Sequence, residues 1–275
     1  MEGIVAIWQR DVIKFFRDRA RLVGSFAMPF MFLILFGSGM SGAISSMMGG
    51  AKAGPLANFD FVQFMFPGII GMTVFNTAIF SALSVVQDKE FGYMREILVS
   101  PISRVSIAVG KVLGGSTVAV FQGLMMLIFV PFIGVSISVL MILKLIPIMF
   151  LVAFALSSIG LIIASSLKTA QGFQMVIQVL VFPMLFLSGA LFPLSGMPVW
   201  MNFLVKINPL TYSVDMFKKV ILQPEKMEPA LRKAMGLDLT VFNHLVTFSN
   251  EILGVALLGI VFVILATIRF ARAEA

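Results

Sequence analysis

Six stretches of this chain carry no charged residue and are each long enough to cross a bilayer, which leaves few folds open to it. They run over residues 22–42, 61–87, 112–132, 145–167, 172–192 and 252–268. About 20 apolar residues in a helix span the roughly 30 Å hydrocarbon core, whereas strands of a lipid-facing barrel read as short alternating segments. Runs of this length are therefore helices, whose backbone polar groups bond within the segment. Hydrophobic residues make up 59% of the chain against 12% charged, with a mean hydropathy of +1.04, and a soluble core has no use for so apolar a surface. The expected fold is an all-α integral membrane protein of one domain, residues 1–275, with six transmembrane helices.

Between the second and third runs lies a compact charged block, Gln87 to Lys111, with Asp88, Lys89, Glu90, Arg95, Glu96, Arg104 and Lys111. Ionised side chains are costly in hydrocarbon, so this loop, residues 88–111, is expected to face water. Ser100-Pro101 disfavours helix at Ser100 and allows a new one from Pro101 onward, and Glu90 to Leu98 reads as a short mixed-charge helix. With the N-terminus inside, basic residues collect on the inner segments, while the short outer loops hold only Lys52 and Lys144. Both termini are then cytoplasmic. The 20 Lys+Arg against 13 Asp+Glu follow from this topology rather than from nucleic-acid binding.

The first 21 residues have a pattern of their own. Ile4, Val5, Trp8, Val12, Phe15 and Phe16 share one helical face, and Arg10, Lys14, Arg17 and Arg21 form a basic stripe. This predicts an interfacial helix on membrane lipid of the inner leaflet, with Trp8 at the headgroups, as a positive-inside anchor or as a docking element. A cleaved signal peptide is discounted, because about twenty mixed residues precede the first apolar run and no small-residue cleavage site follows a short core.

A second block, Leu187 to Leu222, carries Leu187-Ser188-Gly189, Phe192-Pro193, Pro198-x-Trp200, Asn208-Pro209-Leu210-Thr211-Tyr212 and Asp215. Asn208 can cap a helix with Pro209 at its first position, and Leu210, Val214, Phe217 and Ile221 then form one apolar face. Pro198 to Ile207 makes a shorter amphipathic piece with Trp200, Phe203, Leu204 and Ile207 on one side. Residues 193–250 read as an outer segment of short re-entrant or amphipathic helices, either a structural pair dipping into the outer leaflet or a lid over an exit.

Both blocks resemble the type-2 permeases of ATP-binding cassette exporters, the second one especially the daunorubicin-resistance-type drug exporters. The resemblance covers nearly the whole chain. It implies export of a lipophilic drug, lipid or related compound from a prokaryotic-type plasma membrane, driven by ATP and Mg held on a separate cassette ATPase subunit. It also implies a second permease copy, forming a homodimer, and a coupling loop contacting the cassette through Asp88, Glu90, Gly92, Arg95, Glu96, Ser100 and Pro101. No cofactor is expected on this chain: Gly110-Lys111 is followed by Val112 and lacks the leading glycine of a phosphate loop.

Polar residues inside the runs are few. Thr73, Thr77, Ser81 and Ser84 line one side of the second, Gln171, Gln174 and Gln178 one side of the fifth, and Asn76 and Gln122 stand alone. They are candidates for a substrate path, or for glue between helices. Gly110-x-x-x-Gly114 permits a close helix crossing. Without cysteine and with one histidine, His244, no thiol site, metal cluster or triad is expected. A secondary transporter or channel would need ionisable groups near the midplane, and an intramembrane enzyme a nucleophile–base pair; the runs have neither. An ATP-independent secondary transporter or channel, against which that absence counts, and a non-transporting assembly subunit are the alternatives.

Overall fold

The computed structural model describes residues 2–19, 22–24, 27, 29–35, 39, 61–134, 138–192, 194, 197–227, 232, 237, 240–241, 244–245 and 247–273. Arg21, Lys52, Asp60, Pro193, the end of the first run and most of 228–246 lie outside the described residues. The described chain is helical apart from a two-residue antiparallel pair, Thr240–Val241 with His244–Leu245. In order, the helices are α1 (Glu2–Arg17), α2 (Phe61–Ser81), α3 (Leu83–Glu90), α4 (Tyr93–Val99), α5 (Arg104–Met126), α6 (Val139–Ser166), α7 (Ala170–Phe186), α8 (Val199–Ile207), α9 (Pro209–Leu222) and α10 (Phe248–Ala273). A short turn of helix, Val130–Ile133, follows α5.

Four of these are long and apolar enough to cross a membrane: α2 continued by α3 past a turn at Ala82, α5 with its extension to Phe129, α6, and α10. Two shorter apolar helices accompany them, Leu22–Leu35, which includes undescribed residues, and α7. With 17 residues and about 1.5 Å rise per residue, α7 is about 25 Å long, short of the roughly 30 Å core.

The centre is a three-helix crossing of α2, α5 and α6 built on small residues. Lipid is as apolar as leucine, so such helices gain by close backbone approach rather than by escape from water. Gly115 of α5 meets Ser81 of α2 and Ser157 of α6. Gly123 packs on Val74 and Met149, and Gly160 of α6 sits where an added Cβ would lie 2.6 Å from the Ile79 carbonyl oxygen. Ser157 closes the contact by donating to the Ala78 carbonyl at 3.1 Å. Around this centre, α10 lies on α6 and α5, α9 on α2, and α1 on α5.

The contact between α1 and α5 revises the reading of the N-terminal helix. Gly3 meets Ile102, Gly110 meets Ile4 and Ile7, Gly114 meets Trp8 and Asp11, and Phe16 meets Phe121. The partners ascend together, so α1 runs beside α5 and parallel to it. Gly110-x-x-x-Gly114 supplies the flat seat. Trp8 is paired within the protein too, its indole N–H donating to Thr117 Oγ1 at 2.9 Å.

Helix boundaries extend past the uncharged runs. Ser103 caps α5, accepting from the Ser106 N–H, nine residues before Val112. Ser138 caps α6 ahead of Lys144. A side-chain cap satisfies orphan N–H groups wherever it falls, and a charge inside the following helix does not cancel it.

Candidate functional site

The charged block forms one end of the bundle, and its residues bond to the ends of the other helices. Asp88, at the foot of α3, is 1% exposed, and Lys111, on α5, is 5% exposed. The expectation that both face water therefore does not hold. Buried charges survive when paired and hydrogen-bonded, and here two acids and two bases compensate one another. Arg10 grips Asp88 with both guanidinium arms, at 2.8 and 3.0 Å. Lys111 Nζ lies 2.9 Å from Asp88, 3.2 Å from Asp11 and 3.2 Å from Ser84 Oγ. The hydrogen bond to Asp88 raises the Arg10 pKa while partial burial lowers it, and the net shift is upward. Arg10 thus leaves the lipid-facing stripe to which its spacing assigned it. Asp11 was overlooked in the sequence, although it is the one acid among Arg10, Lys14 and Arg17.

Three further residues of this block bond to helix termini with the sign that each helix dipole favours. Lys89 donates to the Ser165 carbonyl at 3.0 Å and the Ala164 carbonyl at 3.5 Å, at the C-terminus of α6. Glu90 accepts from the Ala170 N–H at 2.9 Å, at the N-terminus of α7. Arg104 donates to the Ala271 carbonyl at 3.1 Å, near the C-terminus of α10. The expected helix from Glu90 to Leu98 is split: Glu90 ends α3, Gly92 turns the chain at φ +84°, and Tyr93–Val99 forms α4. Ser100, extended before Pro101, ends α4 and bonds back to the Ile97 carbonyl at 2.6 Å. Met94 holds α4 to the bundle, while Tyr93, Arg95, Glu96 and Val99 are exposed, as are Phe91 and Pro101 outside the helix.

At the opposite end, α9 closes the C-terminus of α7. Asn208 caps α9 by accepting from the Leu210 N–H, and its amide donates to the Met184 carbonyl at 2.7 Å. Pro209 is the first residue of α9. Thr211 donates to the Leu187 carbonyl at 3.1 Å, and Lys218, buried, reaches the Gly189 carbonyl with its ammonium 3.9 Å from the centre of the Phe64 ring. Burial pushes the Lys218 pKa down to about 7, against the pull of Asp215. Lys219 bridges Asp215 at 2.8 Å and Glu251 at 2.7 Å, tying α9 to α10. Tyr212 donates to the Lys206 carbonyl, and burial raises its pKa. Trp200 lies with Phe203, Leu204 and Ile207 on the exposed apolar face of α8.

The hydroxyl stripe of α2 turns to its own backbone and to neighbouring helices. Thr73 donates to the Ile69 carbonyl, Thr77 to Gln122 Oε1, Ser81 to the Ala78 carbonyl and Ser84 to the Ser81 carbonyl. Asn76 is half-buried, whereas Gln171, Gln174 and Gln178 lie exposed along α7. Gly110 and Lys111 sit inside α5 against α1, with no loop from which backbone N–H groups could cradle a phosphate.

Residues 2–222 match the family described as ABC-2 type transporter. The chain is 30% identical over 217 residues to the transport permease ycf38 of Cyanophora paradoxa, covering 78% of this chain and 72% of that protein. It is 32% identical over 178 residues to the multidrug ABC transporter permease YbhR of Escherichia coli K12, 62% of this chain but only 47% of YbhR, so it spans about half of that relative. Nodulation protein J of Rhizobium leguminosarum bv. viciae is 24% identical over 225 residues, 79% of this chain and 82% of that protein. With four helices of membrane-crossing length among the described residues, this chain belongs to the ABC-2 type transporter family of membrane-embedded permease subunits.

Proposed function

We propose that the chain is the membrane subunit of an exporter that moves a lipophilic drug, lipid or related compound outward, with ATP and Mg held by a separate cytoplasmic cassette subunit. The observation that carries this reading is the wiring of the charged end. The bonds flank α4: Asp88, Lys89 and Glu90, on α3 just before it, reach α1, α5, α6 and α7, and Arg104, at the start of α5 just after it, reaches α10. A partner pressing on one short helix would thus move five others as a unit. Resemblance to the daunorubicin-resistance-type exporters, and the name of YbhR, favour a lipophilic cargo.

In this reading Leu22–Leu35 and α7 complete six spans, both termini and the charged end lie in the cytoplasm of a prokaryotic-type plasma membrane, and residues 193–250 form the outer segment. Two copies form the permease. The coupling contact falls on exposed Tyr93, Glu96 and Val99, with Glu90 and Asp88 acting from behind. Gln174 and Gln178 are the best placed of the path candidates, because exposed amides in a membrane helix need a polar partner or a water-filled route, which a facing copy would provide. Asn76 is a secondary candidate.

The test is reconstitution with a candidate cassette ATPase subunit. Tyr93→Ala with Glu96→Gln is expected to reduce stimulation of the cassette's ATPase by cargo about tenfold or more, the effect of losing 1.4 kcal/mol of contact, while the permease still elutes as the wild type does. Failure of any cassette ATPase to co-purify would sink the proposal.

A further inference from the structure

The stretch after α7, residues 187–192, is a strap tucked between α2 and α9. Ser188, Ala190 and Leu191 are buried in it, and Gly68 of α2 lies directly against the Ala190 backbone. Gly189 turns the strap at φ +74°. Ahead of that turn, Asn208 and Thr211 of α9 bond the carbonyls of Met184 and Leu187. At the turn itself the polar tie to α9 is Lys218, whose ammonium reaches the Gly189 carbonyl and the face of the Phe64 ring.

A tie of this kind depends on protonation. A neutral amine can donate to one carbonyl and rest on a ring, whereas an ammonium has three N–H groups and a full charge to solvate. Lys218 forms no ion pair among the described residues. The charged groups of the elements packed on α9 are placed elsewhere. Lys219 takes Asp215 and Glu251 of α10 at 2.8 and 2.7 Å, and Lys206 of α8 lies by Tyr212 near the start of α9. Lys144 of α6 is exposed, and α2 and α7 hold no charged residue. Asp215 pulls the Lys218 pKa up, but burial prevails and takes it down to about 7. A state in which water reaches the ammonium restores the ordinary value, so acid favours that state. We propose that the strap is an acid-opened latch: protonation of Lys218 frees residues 189–192 from α9 and α2, while Asn208 and Thr211 keep hold of α7. This end of the bundle, opposite the charged block, faces outward in the placement proposed above, so the latch senses pH on that side. It rests on the fold and not on the export reaction.

The chain has no cysteine, so single introduced thiols test the latch in the detergent-purified full chain. Leu191→Cys, buried in the strap, is labelled with a methanethiosulfonate reagent at pH 9 and pH 7. Each rate is divided by that of the exposed Val199→Cys, which cancels the change in thiolate fraction. The normalised rate is expected to rise about fiftyfold from pH 9 to pH 7, as a pKa of about 7 in the closed strap and 10.5 in the open one requires. Lys218→Met should abolish that rise, and Lys218→Arg, charged at both pH values, should label rapidly at both. Ala153→Cys, buried in α6, should stay unlabelled throughout. A normalised rate that is flat or falls with acid overturns the proposal, as does a rise that survives Lys218→Met. Labelling of Ala153→Cys in step with Leu191→Cys also overturns it, by assigning the change to unfolding of the whole chain. Should Lys218→Met not elute as a single species, Lys218→Arg decides: a rise with acid like that of the wild type, or slow labelling at both pH values, overturns the latch.

Discussion

Asp88 is the residue on which the charged end converges, because it serves two cations from two helices. Asp88→Asn leaves Lys111 buried with Asp11 3.2 Å away as its remaining acid and breaks the two-armed grip of Arg10. Removing one member of a buried charge pair costs about 3–5 kcal/mol. Arg10 is 36% exposed at its side chain, so Arg10→Gln is expected to cost a fraction of that, about 1 kcal/mol. Thermal unfolding in detergent should rank the variants in that order, and the reverse order would displace Asp88 from the centre of the network. Lys218 yields a pH prediction. Burial lowers its pKa to about 7 from 10.5, so between those values the unfolded chain holds a proton that the folded chain has released, and this residue's contribution to stability rises with pH across that window. Below about pH 7 the ammonium is charged in the fold and the full penalty remains. The Lys219 pKa is raised from 10.5 in net, burial lowering it and Asp215 and Glu251 raising it, so its stabilisation is lost only at higher pH, outside the window. Lys218→Met is therefore expected to exceed the wild type in thermal stability by most at pH 6 and by less at pH 9. An advantage that grows with pH would refute the assignment.

Among the elements, α4 is the one whose position depends on a single backbone angle. Gly92 holds φ +84°, where a side chain costs about 1–2 kcal/mol, and an added Cβ would meet nothing within 4 Å. Gly92→Ala is thus expected to strain the turn without disturbing packing: the folded yield should stay near wild type while coupling to a cassette ATPase falls. Loss of both together would point to a general folding defect. The elements were largely legible in the sequence, because uncharged runs and hydroxyl caps are local signals. Asn208-Pro209 and the apolar face of α9 were read directly. Lys111 and Lys144 misled because each seemed to mark a span limit, whereas one is neutralised by acids from α1 and α3 and the other is an exposed residue in the first turns of α6. The site was harder to read. Its bonds join residue 88 to 10, 89 to 165, 90 to 170 and 104 to 271, and no local pattern encodes such pairs.

For the molecule as a whole, cohesion depends on the small-residue crossing. Gly115→Val would drive branched carbons into the side chains of Ser81 and Ser157, an overpacking that costs stability. Gly254 of α10 has nothing within 4 Å of an added Cβ, so Gly254→Val should be tolerated. Fluorescence-detected size exclusion is expected to show a collapsed monodisperse peak for the first and an unchanged one for the second; equal peaks would remove the crossing from its central place. A different kind of attachment holds α7. Glu90 secures one end and Asn208 and Thr211 the other, yet along its flank only Phe173 and Ile177 are buried. Such a helix is an axle in two bearings: it transmits a pull from end to end, while a twist about its long axis meets little resistance and would swing Gln174 and Gln178 through an arc.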